Sequence, residues 1–365
     1  MPLRLAAGAR PVSVAALAAL GVLATLPPTA AAQPQPASGA SASAAPSMPA
    51  PAPFAPVIYG LLDASGARVR PVGTGVTRWS LESGAMTQSF LGIRGAEDLG
   101  GGLRAVWKLE SYVRLDTGMA GTETSNAFWG REANVGLSGQ FGTTVLGRTV
   151  TPVYNTVVNF NPFGESRLFS PARRQYHGGL PATIDRSWAN SVSYTNNPTD
   201  PFRVQFGANL PETTTAGRNF GASIGYASGP FAVSIAGERV KNLEASTAPA
   251  GFQRQQTVLA GATYDIGPVR LYGQAGDTRT DAAINIRTRL YQLGTAVRFG
   301  TGLVLLGYGH TTTKILGVSS TDRIASLGYD YYLSRNTDLY AVGSVEKRTN
   351  LDTGHAVAGG VRVRF

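Results

Sequence analysis

The chain has 365 residues, a formal net charge of +10 and no cysteine. Without cysteine, disulfides, zinc–thiolate centres and thiol nucleophiles are excluded together, and a mean hydropathy of −0.03 excludes a bundle of membrane helices, each of which needs about 20 apolar residues in a row. Most Lys and Arg residues stand singly in alternating runs and none form a basic stripe, so the positive balance does not imply nucleic acid.

Residues 1–32 read as a secretory signal peptide. Arg4 and Arg10 supply the positive start, Val12–Leu26 the apolar run, and Ala30-Ala31-Ala32 a small-residue cleavage site, which makes Gln33 the expected first mature residue. Residues 33–56 form a Pro/Ala-rich linker without charge. Such a composition cannot bury a core and favours an extended, partly polyproline-II segment.

From Val57 to Phe365 the pattern is alternation, the mark of strands with two unlike faces. Phe202, Val204, Phe206 and Ala208 interleave with Arg203, Gln205, Gly207 and Asn209; Val361, Val363 and Phe365 interleave with Arg362 and Arg364. About sixteen such runs succeed one another, the first near 57–66, the second near 86–95 and the last near 354–365. Tight junctions such as SGQFG (138–142) and SGP (228–230) alternate with long polar ones, the layout of an antiparallel meander. A soluble sandwich also alternates. An even strand count, strands of membrane-spanning length, charges on the polar face and aromatics near strand ends (Tyr291, Phe299, Tyr329, Tyr331) favour a closed barrel facing lipid. The expected fold is therefore all-β, a 16-stranded antiparallel transmembrane β-barrel whose lumen is too wide for side chains to fill.

One stretch breaks the rule. Between Thr149 and Trp188 no period holds, and the segment is far longer than the usual connection of about 4–6 residues. It carries Glu165 and Asp185 against Arg167, Arg173, Arg174 and Arg186. We expect it to fold inward and set the bore.

The stretches VIYGLLDASG (57–66), LGIRGAEDLGGGLRAVWKLES (91–111), LDTG (115–118), REANVGLSGQFGTTVLGRTVTP (131–152) and GGVRVRF (359–365) together resemble the Gram-negative general porins, in particular a Burkholderia/Bordetella-like group. The resemblance covers residues 57–365. It implies an outer-membrane homotrimer of 16-stranded barrels, each a water-filled channel for small hydrophilic solutes and ions, surrounded by lipid and lipopolysaccharide. It implies an inward-folded third external loop as the constriction, and a C-terminal Phe365 read by the outer-membrane barrel assembly machinery. By motif, NPFGE (161–165) matches the tip of that loop with Glu165 as its acid, and Arg131, Arg148 and Arg186 match wall arginines facing it. Arg167 and Asp185 complete the expected constriction set. The chain departs from the family where Phe90 precedes LGIRG in place of a customary arginine, and where four loop arginines face two acids. That excess points to weak anion preference or near-neutrality. Arg173 and Arg174 either line the bore or face solvent or lipopolysaccharide.

Two other classes of function remain at this point. An adhesin or structural anchor would need a plugged barrel. A barrel hydrolase would need a serine activated by histidine, and Gly221-Ala222-Ser223-Ile224-Gly225 does match G-x-S-x-G. A nucleophile elbow requires a strained turn between strand and helix, whereas Ser223 lies within an alternating run. His177, His310 and His355 share no ligand spacing, so no metal or other cofactor is expected.

Overall fold

The computed structural model describes residues 55–365 apart from 123, 124, 126, 178–183, 198, 200, 211–216 and 244–247. The expected signal peptide and nearly all of the linker lie outside the described residues. From Val57 onward the chain forms one closed antiparallel sheet of sixteen strands. In chain order these are β1 (Val57–Arg70), β2 in two segments (Arg78–Ser83 and Phe90–Gly100), β3 (Leu103–Arg114), β4 (Glu132–Gly139) and β5 (Gly142–Val150). A long loop then carries helices α1 (Pro152–Asn159) and α2 (Pro171–His177). The sheet resumes with β6 (Ser187–Thr195), β7 (Phe202–Asn209), β8 (Phe220–Ser228), β9 (Phe231–Val240), β10 (Arg254–Ile266) and β11 (Val269–Asp281). It ends with β12 (Ile286–Phe299), β13 (Gly302–Ile315), β14 (Val318–Tyr332), β15 (Thr337–Arg348) and β16 (Gly354–Arg364).

The sequence reading and the structure differ at the second strand. That strand begins at Arg78, not near 86, and its two segments both pair with β1: Val69↔Arg78 to Ala64↔Ser83, then Leu61↔Phe90 to Val57↔Arg94. Residues 84–89 leave the sheet between them and bury Ala85, Met86, Gln88 and Ser89. The excursion is held by Asp63, whose carboxylate accepts the Met86 and Thr87 N–H groups at 3.0 and 2.6 Å. A short run of alternation before the break, RWSLES, is too brief to stand out in sequence.

Closure happens between the first and last strands, in a continuous register from Leu61↔Arg364 to Arg70↔His355. Gly60 and Phe365 exchange backbone hydrogen bonds at 2.9 and 3.2 Å, which completes the seam at its end. On the lumen side Arg362 donates to Asp338 at 2.7 Å and also to Asp330, while the Tyr340 hydroxyl donates to Asp63 at 2.6 Å. These charges are buried in pairs, the condition under which burial is tolerable.

The strand faces divide as their alternation requires. On β12, Leu290 and Gln292 are buried toward the lumen while Tyr291 and Leu293 are 56% and 69% exposed on the outside. Exposed Phe231, Tyr264, Phe299 and Tyr331 ring the end where the strands turn tightly. The connections after β8, β10 and β12 place Gly229, Gly267 and Gly300 in the left-handed region (φ 56–59°), open to glycine at little cost.

Inside, the helices of the long loop press directly on the wall, and the wall is cut away to receive them. A Cβ on Gly276 would stand 1.8 Å from the Tyr176 hydroxyl, and one on Gly294 would stand 2.7 Å from the Pro162 ring. Gly273, which faces outward, has its nearest neighbour at 3.8 Å. Gly276→Val should therefore unseat α2, destabilise the barrel by about 1–3 kcal/mol and lower its thermal unfolding midpoint. Gly273→Val should leave the midpoint unchanged. Equal midpoints for the two variants would mean that the loop is not packed against the wall.

Candidate functional site

The long loop enters the lumen through a capped helix. The Thr151 hydroxyl accepts the Tyr154 N–H at 3.1 Å and Pro152 opens the first turn, an arrangement that satisfies a free helix end. Val153 and Val157 of α1 then pack with Ala172 and Tyr176 of α2 against Ala236, Leu259 and Leu290 of the wall. At the tip, Asn161 makes the turn. Its Oδ1 accepts the Phe163 N–H and the Ser170 hydroxyl, both at 2.9 Å, and its Nδ2 donates to the Val157 carbonyl at 2.7 Å. Phe163 and Phe169 are buried in a cluster with Met86, Tyr272, Leu305 and Val342, and the Ser166 hydroxyl donates to the Ala85 carbonyl at 2.7 Å. The excursion at 84–89 thus braces the tip.

With Phe163 committed to the wall, Glu165 meets the arginines across the lumen. Arg131, just before β4, grips it with both terminal nitrogens at 2.9 and 3.3 Å and donates its Nε–H to Glu110 at 2.7 Å. Glu110 also accepts the Tyr59 hydroxyl at 2.5 Å. Arg186 stands 3.9 Å from Glu165 and donates to the Arg131 carbonyl at 3.0 Å. Both guanidinium groups lie over aromatic rings: Arg131 over Phe90 at 4.3 Å, Arg186 over Tyr154 at 5.0 Å and Tyr112 at 5.4 Å. Such stacking supports a partly desolvated cation. Phe90, the departure noted in the sequence, is the platform for Arg131.

Of the expected site residues, Glu165, Arg131 and Arg186 come together. Arg167 is half-buried two residues beyond Glu165. Arg148 sits where the β5–β6 register slips, and its Nε–H donates to the Gly130 carbonyl at 2.8 Å, next to Arg131. Asp185 is buried at the loop's base, where its carbonyl accepts the Thr151 hydroxyl at 3.2 Å. Arg174 reaches Glu346 on the wall, and Gln175 donates to the Asp322 carbonyl at 3.0 Å, so α2 is clamped inside the barrel and does not face lipid. Nothing in the sequence links Glu110 to Arg131; the signal it carries there is its place in an alternating run, LRAVWKLESYVR.

Burial works to raise the Glu165 carboxyl, but the charges of Arg131 and Arg186 outweigh it and hold the group at about 2, against an ordinary 4.5. His177 goes down, to about 3, because burial and the neighbouring Arg173 disfavour its cation. Its ring meets the Tyr154 ring edge-on at 4.9 Å, and it stays neutral near neutral pH. Among the described residues no cluster of three His, Asp or Glu side chains could hold a metal ion.

Residues 16–351 match the family described as Gram-negative porin. The chain is 30% identical over 317 residues to outer membrane porin protein 32 of Delftia acidovorans, an alignment spanning 83% of this chain and 87% of the relative. It is 26% identical to an outer membrane porin protein of Bordetella pertussis, with 79% and 84% of the two chains aligned. Among solved structures, the anion-selective porin from Comamonas acidovorans superposes with a TM-score of 0.74 at 26% identity, covering 86% of this chain and 100% of the other.

The pairing of Glu165 has a pH signature. A carboxyl depressed in the folded state contributes stability that is complete above its unfolded value and lost as pH falls through its folded one. The thermal midpoint of the wild type should exceed that of Glu165→Gln by a constant margin from neutral pH to about 4.5, and the margin should close as pH falls toward about 2. The full contribution is on the order of 3 kcal/mol. A margin already half lost at the ordinary carboxylate value would show that Arg131 and Arg186 do not hold Glu165 ionised.

Proposed function

The chain belongs to the Gram-negative porin family, and from that premise we propose what each part of the loop and wall contributes. The protein is a channel of the outer membrane through which small hydrophilic solutes pass by passive diffusion. We assign the constriction to Glu165 on the loop and to Arg131 and Arg186 opposite it, with Arg148 and Arg167 adding to the field and Asp185 fixing the loop's base. The observation that carries this reading is the Arg131–Glu165 bridge, which ties the residue leading into β4 to the loop tip across the lumen. Selection there needs little chemistry: bore size and fixed charge act on solutes in a narrow, low-dielectric passage.

The sign of the charge follows from the balance around the bore. Glu165 and Glu110 are offset by Arg131 and Arg186, and the loop as a whole carries more arginines than acids. The reading is weak anion preference. An anion-selective relative at 26% identity is consistent with it. Hydrolysis is not part of the proposal, because Ser223 lies mid-strand, paired with Gln205 and Ala236 on its two sides, and not at a strand-to-helix turn. An adhesin or anchor would conduct negligibly, and that separates it from a channel.

The remaining parts are proposals of the same kind: a signal peptide at 1–32, a linker at 33–56, a barrel at 57–365, a homotrimer, a lipopolysaccharide surround, and a C-terminal strand read by the barrel assembly machinery. Phe365 supports the last, since it is 51% exposed on the outer face at the seam's turn end.

Two experiments test these assignments. In a planar bilayer with a salt gradient, Arg131→Ser with Arg148→Ser should move the reversal potential toward cations, and Glu165→Gln should move it toward anions. Both shifts should fade between 0.1 and 1 M salt as the Debye length falls from about 10 to about 3 Å. A strongly cation-selective wild type that ignores both changes would place the constriction elsewhere. Phe365→Asp should abolish folded protein in the outer membrane without altering the conductance of any barrel that does form; normal levels of the variant would remove Phe365 from assembly.

A further inference from the structure

The outer surface carries a charge pattern that passage through the lumen does not use. On β11 and β12, the strands far from the β1–β16 seam, the outward residues run from Leu271 through Ala275 to Asp277 and Arg279, and from Phe299 through Leu293 and Tyr291 to Arg289 and Arg287. The register sets Asp277 opposite Arg289 and Arg279 opposite Arg287. Like charges placed directly opposite each other across an antiparallel pair are destabilising. One carboxylate serves all three arginines, with Asp277 at 3.1 Å from Arg279, 2.8 Å from Arg287 and 3.3 Å from Arg289. Two positive charges are left over. Lys314, opposite Arg287, and the facing pair Arg323 and Lys347 continue the pattern across β13 to β15, and none of these has an ion pair among the described residues.

The height of this cluster is informative. Phe299, in the aromatic ring at the turn end, and Arg289 are ten residues apart on β12. At a rise of about 3.4 Å and a strand tilt of about 40°, that separation is ~26 Å along the barrel axis, close to the ~25 Å apolar band of outer-membrane barrels. The arginines therefore stand where the acyl chains end and headgroups begin, on the side of the long loops. Directly below them Tyr291 and Leu293 offer an apolar wall, 56% and 69% exposed, and Val258, 60% exposed, flanks Asp277 on the neighbouring strand.

We propose that Arg279, Arg287 and Arg289 form a binding site for the phosphate of a phosphorylated glycolipid in the outer leaflet, whose acyl chains lie along the wall below. This rests on the outer-membrane reading and gives its lipid surround a defined place. A guanidinium fork matches phosphate oxygens two at a time, and one phosphate between Arg279 and Arg287 would relieve their opposition while Asp277 holds Arg289. A free anion would gain nothing from the apolar wall.

Native mass spectrometry of the purified full chain in detergent, titrated with bis-phosphorylated lipid A, tests the site. Arg279→Gln/Arg287→Gln/Arg289→Gln should bind at least tenfold more weakly, and Asp277→Asn should bind several-fold more tightly. Lipid A stripped of phosphate should bind wild type and triple variant alike. Should the triple variant not fold, Arg287→Gln alone and Asp277→Asn still move in opposite directions. Unchanged affinity in these variants, or displacement of lipid A by millimolar inorganic phosphate, would overturn the proposal. Single-channel conductance should be the same in every variant, since the side chains face away from the lumen; a wild type that does not conduct would count against the channel reading and not against this site.

Discussion

Hydrocarbon offers no partner to a peptide group, so a sheet that crosses a membrane must satisfy each of its strand edges within itself. The rest of this structure depends on that constraint. It forces β16 back onto β1, and the seam there is reinforced by the buried Arg362–Asp338–Asp330 and Tyr340–Asp63 contacts. Asp63 does double service, because the same carboxylate fixes the excursion at 84–89 that braces the loop tip. Closing the sheet and supporting the loop are mechanically linked through one side chain.

Sixteen closed strands enclose more space than their side chains can fill, and the long loop occupies part of it. It is docked as a core element and not draped as a surface loop: α1 and α2 bury Val153, Val157 and Tyr176, and the tip buries Phe163 and Phe169. The wall is thinned to glycine where they land. The loop is clamped on both sides by charge, through Glu165 to Arg131 and through Arg174 to Glu346. A buried ion pair is weak evidence for stability, since burial costs both ions their hydration. Here the cost is moderated by bidentate geometry and by the rings under Arg131 and Arg186. The result is charge fixed in place where the loop meets the wall.

Much of this was legible as sequence because alternation is a physical record of two solvents. Val361, Val363 and Phe365 must meet lipid while Arg362 and Arg364 meet the lumen, and the one long stretch without alternation had to be the element that leaves the sheet. Glu165, Arg131 and Arg186 could be named from motifs. What could not be read was who pairs with whom. Glu110 is one polar-face residue among many until the β3–β4 register brings it to Arg131. Residues 86–89 look like the start of the second strand until segments on both sides of 84–89 are seen to pair with β1. The lumen glycines carry no side chain to signal what they accommodate, so their role shows only when Tyr176 and Pro162 are seen against them.

Because the chain contains no cysteine, a single introduced thiol can report directly on whether the loop lines an open passage. Asn159, at the end of α1, is exposed on the inward-folded loop. In a planar bilayer, a charged methanethiosulfonate reagent added to open Asn159→Cys channels should reduce the current in discrete steps and leave the wild type untouched. A rapidly modified thiol with no change in current, or a thiol that cannot be modified at all, would contradict a water-filled bore bounded by this loop.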